Sequence, residues 1–187
     1  KIVIEDPSGN SAIISEKTQI EKGLAYLTKR HRAQKFIAYF QDFSATYAPI
    51  DYLRELYFSV LEYKEFVGIN IGTRADCLQE PVLDLLSELH EKIYLLLDIG
   101  LQTSNNDTLK SINRAETTDD FISAVTRVKK RHIDICTHVI LGLPGETPSD
   151  YIGTAKFING LPIDGIKIHN LHVIKNIRDK EPDTFEK

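Results

Sequence analysis

Residues Ile135–Leu141 read Ile-Cys-Thr-His-Val-Ile-Leu and run directly into the turn sequence Gly142-Leu143-Pro144-Gly145-Glu146. A continuous apolar run of this length suits a strand that is buried on both faces of a parallel sheet. Thr147, Pro148 and Asp150 follow the turn and supply the N-cap, first-turn and N3 residues of a helix. The stretch therefore predicts one strand–turn–helix unit.

The same unit repeats along the chain. Further runs rich in Ile and Val, separated by amphipathic stretches, occur at Ile2–Ile4, Phe36–Phe40, Phe66–Ile71, Ile93–Ile99 and Ile163–His169. Helix starts between them are marked by Pro49, by Pro81 and by Thr117 with Asp120 in a capping box. About six βα units allow an open doubly wound sheet or an incomplete barrel, because a full eight-unit barrel needs about 250 residues. No G-x-G-x-x-G sequence follows the first run, which counts against a dinucleotide-binding sheet.

The composition of the 187 residues is that of an ordinary single domain, here residues 1–187. The net charge of −4 supplies no broad basic field for non-specific nucleic-acid binding. Cys77 and Cys136 are too few for a secreted disulfide framework, and no apolar run reaches the roughly 18 residues of a membrane span. We therefore expect a cytoplasmic protein without a membrane segment. Because the chain has no Met, we also expect it to be a piece of a longer protein.

Polar and ionisable residues collect where the predicted strands end. They are Gln41 after the second run, Thr73, Arg74 and Asp76 after the third, Asp98 and Gln102 at the fourth, His138 and Gly142–Glu146 at the fifth, and Lys167, His169 and His172 at the sixth. Both architectures bind ligands at this edge of the sheet, so the pattern predicts a ligand pocket without fixing its chemistry.

Several chemistries fit these residue types. The three histidines with Asp98 are the ligand types of a barrel metallohydrolase, although they contain no H-x-H pair. Lys167 could form a Schiff base and Cys77 could act as a nucleophile. The structural alternatives are more common: a buried imidazole, a lysine paired with a carboxylate, and a buried thiol. Arg74 beside Asp76 is likewise more often an ion pair than an acid/base pair.

An ordered set of segments carries a family resemblance: Ala38–Gln41, Thr46–Pro49, Ile71–Cys77, Gly100–Thr103, Ile112–Arg114, His138–Glu146 and Ile166–His172. Together they resemble the YhcC-type branch of the radical S-adenosylmethionine (SAM) superfamily, relatives of oxygen-independent coproporphyrinogen dehydrogenase. The resemblance implies an α/β fold, a partial (β/α)6 TIM-type barrel with a parallel sheet, which carries a [4Fe–4S] cluster and SAM at the strand tops. It also implies an enzyme that reductively cleaves SAM to a 5′-deoxyadenosyl radical, with a small reductant protein as electron donor. It does not identify the substrate, for which an RNA and a small molecule both stay open.

The resemblance further implies roles for single residues. On the SAM side these are Gln41 for the amino group, Asp98 and Gln102 for the ribose and methionyl part, Arg114 for the carboxylate, Gly142, Gly145 and Glu146 along the adenine, and His169 at the adenine end. On the substrate side they are Thr73, Arg74, Asp76, His138 and His172.

The sequence departs from this family at the cluster. The superfamily holds its cluster through closely spaced cysteines after the first strand, whereas residues 5–12 contain no Cys. Cys77 and Cys136 cannot supply a set of three thiolates. We therefore expect that the cluster loop is missing from this sequence near residues 5–14. The alternatives are a degenerate barrel without a cluster that binds a ligand or a partner, and the metallohydrolase.

Overall fold

Five parallel strands form one curled sheet, and helices connect each strand to the next. A computed structural model describes residues 2–5, 11–14, 16–41 and 43–173. In chain order the elements are β1 (Ile2–Glu5), β2 (Ser11–Ile14), α1 (Glu16–His31), β3 (Phe36–Phe40), α2 (Ile50–Phe58), β4 (Phe66–Thr73), α3 (Glu80–His90), β5 (Tyr94–Gln102), α4 (Asn106–Ser111), α5 (Thr118–Lys129), β6 (Asp134–Leu141), α6 (Pro148–Asn159) and β7 (Gly165–Asn170). Short 3₁₀ turns follow α2 at Ser59–Glu62 and β4 at Ala75–Cys77.

The order of the strands decides between the two predicted architectures. The sheet runs β3-β4-β5-β6-β7, so every crossover steps to the next strand in the same direction. Right-handed crossovers that never reverse direction place their helices on one face, and the sheet curls around its other face. A doubly wound sheet would instead reverse at a switch point. The α/β, partial TIM-type barrel predicted from the resemblance is confirmed.

The first predicted strand does not belong to this sheet. Ile2–Glu5 pairs antiparallel with Ser11–Ile14 in a separate two-stranded sheet, with Ile2 opposite Ile14. The parallel sheet of the described residues therefore has five strands, where the pattern of six βα units predicted six. A short apolar run does not reveal whether its partner will be parallel or antiparallel, so periodicity alone could not exclude this outcome. The loop expected to be missing near residues 5–14 falls partly on residues 6–10, which lie outside the described residues.

The two faces of the strands differ in chemistry. Ile69 and Ile71 of β4, Leu95, Leu97 and Ile99 of β5 and Ile135 of β6 are completely buried in the core between sheet and helices. The alternate residues face the concave side, where the register places Gly72 beside Asp98 and Asp98 beside Cys136. Since successive side chains of a strand point to opposite faces, the polar and glycine positions form one inner surface.

The predicted helix starts are found in the structure. The Thr117 and Asp120 side chains form a reciprocal capping box at α5, and Thr147 with Asp150 does the same at α6. Pro49 is the N-cap residue of α2, and Pro81 lies in the first turn of α3. Within the described ranges, no helix combines the length and the apolarity needed to cross a bilayer.

Candidate functional site

The C-terminal ends of β3 to β6 open into a concave cavity of about 880 Å³. Its walls contain eight of the thirteen residues predicted for the SAM or the substrate side: Gln41, Thr73, Arg74, Asp76, Asp98, Gln102, Arg114 and His138. The concave edge where a barrel binds ligands is thus the place where the structure brings most of the candidates together.

A bulge at the end of β5 aims Gln102 into the cavity. The pairing of β5 with β6 slips between Gly100 and Gln102, and Gln102 has a φ of 70°, in the left-handed region. The side chain then lies over Gly100, where a Cβ atom would be 2.6 Å from Gln102 Nε2 and 3.1 Å from Arg114 Nη2. A Cβ atom at position 100 would therefore displace the ends of two flexible cavity side chains.

Arg114 lies in the loop between α4 and α5 with its guanidinium only partly satisfied. Its Nη2 donates a hydrogen bond to the Gly100 carbonyl at 2.8 Å and lies 3.4 Å from Glu116 Oε1. Its Nε is buried and has no hydrogen-bond partner among the residues that the structure describes. A buried N–H without an acceptor is costly, so the described residues leave the hydrogen-bonding capacity of this guanidinium incompletely used.

Glu116 joins the loop after β4 to the loop before α5. Its carboxylate, 5% exposed as a residue, accepts hydrogen bonds from Arg74 Nε at 3.0 Å and from the Ala75 N–H at 3.3 Å. Burial raises the pKa of Glu116 above its ordinary value, and the neighbouring Asp76 carboxylate adds to the rise. Arg74 also forms a two-point ion pair with Asp76, in which Nε contacts Oδ1 and Nη2 contacts Oδ2. The ion-pair interpretation of Arg74 and Asp76 therefore fits the structure.

Asp98 is the centre of a charged cluster on the concave face. Its side chain is 0% exposed, and Oδ2 accepts a hydrogen bond from Asn70 Nδ2 at 3.0 Å. Lys167 Nζ forms an ion pair with the same oxygen, and His138 Nε2 lies 3.2 Å from it. Lys167 Nζ also lies 4.7 Å from the centre of the Tyr39 ring and 3.4 Å from its hydroxyl. Asp98 is thus covered by its partners, so it reaches a ligand only through them.

The contacts within this cluster shift the pKa values of Asp98 and Lys167. Burial by itself would raise the pKa of Asp98, but the contacts with His138, Lys167 and Tyr39 outweigh burial and hold the pKa below its ordinary value. Burial would lower the pKa of Lys167, but Asp98 outweighs it and raises that pKa. Because a protonated amine is not a nucleophile, the ion pair argues against a Schiff base at Lys167.

Among the three candidate histidines only His138 lines the 880 Å³ cavity. His169, His172 and the turn after β6 lie outside it. The ring of His169 is 5.1 Å from that of His138, and His172 is exposed. Across the described part of the chain, no group of three His, Cys, Asp or Glu side chains is arranged to hold a metal ion. The metallohydrolase alternative therefore has no ligand set there.

Gly142 and Gly145 shape the turn after β6 rather than the cavity wall. Both have a positive φ, 88° and 82°, which glycine adopts without strain. The Gly142 N–H donates to the Tyr151 hydroxyl at 3.1 Å. Glu146 accepts a hydrogen bond from Thr103 and lines a small neighbouring cavity together with Gln102. The adenine-side role of this turn stays a prediction.

Comparison with known proteins identifies the family. The sequence model of the radical SAM superfamily matches residues 9–158. The chain belongs to the radical SAM superfamily. It is 45% identical to the uncharacterised protein YtqA of Bacillus subtilis over 75% of the chain and 44% of YtqA. It is 41% identical to the uncharacterised protein MJ0486 of Methanocaldococcus jannaschii over 91% of the chain and 53% of that protein, and 36% identical to YhcC of Escherichia coli over 78% and 47%. The chain thus spans about half the length of these curated relatives.

Solved structures of other proteins have the same fold. The archaeal Elp3 of Methanocaldococcus infernus covers 91% of this chain with a TM-score of 0.72 at 19% identity, over 45% of its own chain. Coproporphyrinogen III oxidase (HemN) of Escherichia coli, described as a radical SAM enzyme, covers 76% with a TM-score of 0.64 at 20% identity, over 33% of its own chain. At these identities the likeness shows the barrel and not the substrate.

The residues of this radical SAM chain fit SAM better than they fit an iron–sulfur cluster. The partly satisfied Arg114 guanidinium offers N–H groups of the kind that bind a carboxylate. Both cysteines are buried, and burial raises the pKa of Cys77 and raises that of Cys136 to about 11. A cluster needs thiolates, so these two thiols do not fit it.

Sequence reasoning missed several residues of the cavity and of the charged cluster. Tyr39, Asn70 and Gly100 lie on the concave face, and Glu116 is buried behind Arg74 and Arg114. The phase of strand alternation, counted from Asp98, could have found the first three, because cross-strand neighbours share a face. Nothing in the sequence indicated that Glu116 would be buried.

Proposed function

We propose that this chain forms the SAM-binding part of a radical SAM enzyme in the branch that includes YtqA and YhcC. The observation that carries the proposal is Arg114, a partly satisfied guanidinium at the ligand cavity of a barrel from this superfamily. The chemistry that a [4Fe–4S] cluster supplies when bound is the one-electron cleavage of SAM. The ligands of that cluster are not among this chain's two cysteines, so we derive no step through it.

The side chains around the cavity have separate tasks in this proposal. Arg114 holds the methionyl carboxylate, since a guanidinium presents several N–H groups to one anion. Gly100 leaves the space in which the Arg114 and Gln102 side chains lie together. Glu116 Oε1 lies 3.0 Å from Arg74 Nε, and this ion pair fixes the loop after β4 against the loop that carries Arg114.

Hydrogen bonds from the hydroxyl groups of Thr46 and Tyr57 hold the loop after β3, which begins at Gln41. Thr46 Oγ1 lies 2.5 Å from Thr73 Oγ1 and donates to the Cys77 carbonyl at 3.2 Å. Tyr57, completely buried, donates to the Ala45 carbonyl at 2.6 Å. We infer that Gln41, at the start of this anchored loop, faces the amino group of SAM.

SAM binding tests the proposal without requiring a cluster. Titration calorimetry of the chain with SAM should show binding, and Arg114→Gln should weaken it by about 1.5–3 kcal/mol, roughly ten- to 150-fold. Arg54→Gln is the matched control, because Arg54 also pairs with a glutamate, Glu88, but between α2 and α3. Equal affinity in the wild type and the Arg114 variant would remove Arg114 from the site.

A cluster-free barrel that binds a ligand or a partner is the second candidate. The two buried cysteines with raised pKa favour it. Anaerobic reconstitution of the full encoded protein with iron and sulfide separates the two candidates. Iron uptake followed by release of 5′-deoxyadenosine on reduction supports the enzyme. Full-length protein that binds SAM but takes up no iron supports the cluster-free barrel.

A further inference from the structure

Four donor side chains lie together on the concave face below the proposed SAM site. Lys167 is opposite His138 in the register of β6 and β7, and His169 lies one layer nearer the strand ends. Tyr39 of β3 completes the group from across the sheet, with its hydroxyl 3.4 Å from Lys167 Nζ. Of these four residues only His169 is predicted to contact SAM, at its adenine end, so Tyr39, His138 and Lys167 have no role in the proposed SAM contacts.

Neither acidic side chain of this cavity is free to face a ligand. Of the two acidic residues that line the cavity, Asp76 is taken up by Arg74 and Asp98 lies beneath Lys167 and His138. The Asp98 side chain is 0% exposed, whereas that of Lys167 is 36% exposed. Asp98 lines the cavity, but its carboxylate has no exposed surface, whereas the Lys167 side chain has surface to offer a ligand.

A purely structural ion pair accounts poorly for this arrangement. Burying a charge such as the Asp98 carboxylate costs several kcal/mol, and an apolar pair of similar volume is often at least as stable. Lys167 has three N–H donors, of which Asp98 and Tyr39 occupy at most two. Burial of Asp98 beneath the ammonium also keeps Lys167 charged, as the raised pKa of Lys167 shows.

We propose that Lys167 and Tyr39 bind an anionic group of the substrate, a carboxylate or a phosphate, inside the barrel beneath the SAM site. That the anionic group belongs to a substrate rests on the proposed function. Anion binding itself can be measured without SAM or a cluster. Asp98 is a positioning residue here, since it acts by holding the ammonium group of Lys167 against the Tyr39 ring.

Small anions are the probes. The chain is labelled with ¹³C-lysine, the ε-methylene signal of Lys167 is assigned from Lys167→Arg, and it is followed during titration with sodium acetate, inorganic phosphate or acetamide at constant ionic strength. We expect a saturable shift with acetate or phosphate and none with acetamide, which has nearly the shape of acetate without the charge. Tighter binding of acetate points to a carboxylate substrate, and tighter binding of phosphate to a phosphorylated one.

Variants locate the effect. Lys156→Gln, an exposed lysine of α6, should leave the titration of Lys167 unchanged. Tyr39→Phe removes one donor and should weaken anion binding several-fold, with the Lys167 signal still visible. The double variant Lys167→Met with Asp98→Asn removes both charges together, so that no buried carboxylate is left unpaired. In that variant the Tyr39 ring signals, followed with ¹³C-tyrosine, should no longer respond to acetate.

Two results overturn the proposal. One is a wild-type shift that does not saturate or that acetamide reproduces. The other is an unchanged Tyr39 response to acetate in the double variant. Neither bears on SAM binding, so a failure here is distinguishable from a failure of the proposed function, which the Arg114 titration tests separately.

Discussion

Gly100→Ala should separate ligand binding from stability. Gly100 does not have a positive φ, so an alanine fits the backbone of β5. Its Cβ would lie 2.6 Å from Gln102 Nε2 and 3.1 Å from Arg114 Nη2, whereas ordinary contact begins at 3.4 Å. The Gln102 amide must then move by about 0.8 Å and the Arg114 guanidinium by about 0.3 Å. Both groups are the ends of flexible side chains, so we expect the free energy of unfolding to change by less than about 1 kcal/mol.

The cost should fall on SAM binding instead. The displaced guanidinium weakens its 2.8 Å hydrogen bond to the Gly100 carbonyl and loses its alignment with the ligand carboxylate. A hydrogen bond to a charged group contributes about 1.5–3 kcal/mol, and a partial loss corresponds to the lower figure. We therefore expect SAM affinity to fall about tenfold.

Urea denaturation and titration calorimetry on the same preparations check both halves of this prediction. Gly153→Ala is the control, because no atom lies within 4 Å of a Cβ built at this position in α6. That variant should gain about 0.5–1 kcal/mol of stability from helix propensity and bind SAM like the wild type. An unchanged SAM affinity in Gly100→Ala would refute the idea that Gly100 makes room for the SAM-binding side chains. A loss of several kcal/mol of stability would show that the two side chains cannot yield.

Two further variants test the charged cluster and the anchored loop. Contacts lower the pKa of Asp98 in the folded state below the value of about 3.9 that it has in an unfolded chain. The ionised carboxylate therefore stabilises the fold above about pH 4, and this stabilisation is lost as the pH falls towards the folded pKa. Urea midpoints measured from pH 5 to pH 2 should consequently fall more steeply in the wild type than in Asp98→Asn, and parallel slopes would contradict the assignment. Tyr57→Phe removes the 2.6 Å hydrogen bond to the Ala45 carbonyl and should lower the free energy of unfolding by about 1 kcal/mol; an unchanged urea midpoint would mean that this hydrogen bond adds no net stability.

Much of the fold could be predicted from local sequence. The strands β3 to β7 follow from apolar runs, and the starts of α2, α3, α5 and α6 follow from prolines and capping residues. These signals are local, because each one affects only residues a few positions away along the chain. Pairing of Ile2–Glu5 with Ser11–Ile14 was not predictable in this way. It depends on which partner a short strand meets, and a run of four residues carries no record of that.

The candidate site divides in the same manner. The sequence by itself determined which residues stand at the strand ends, since each follows an apolar run at a fixed distance along the chain. Only the tertiary structure decided that Asp98, on β5, lies under Lys167 of β7 and beside His138 of β6. Only the tertiary structure also decided that Glu116 is buried against Arg74. These three contacts join residues that are 40 or more positions apart in the sequence. The hydrogen bond from Asn70 to Asp98, between the neighbouring strands β4 and β5, spans 28 positions. Such contacts are set by strand order, register and the curl of the sheet, because the charge of a side chain does not specify its partner until the backbone has placed the two together.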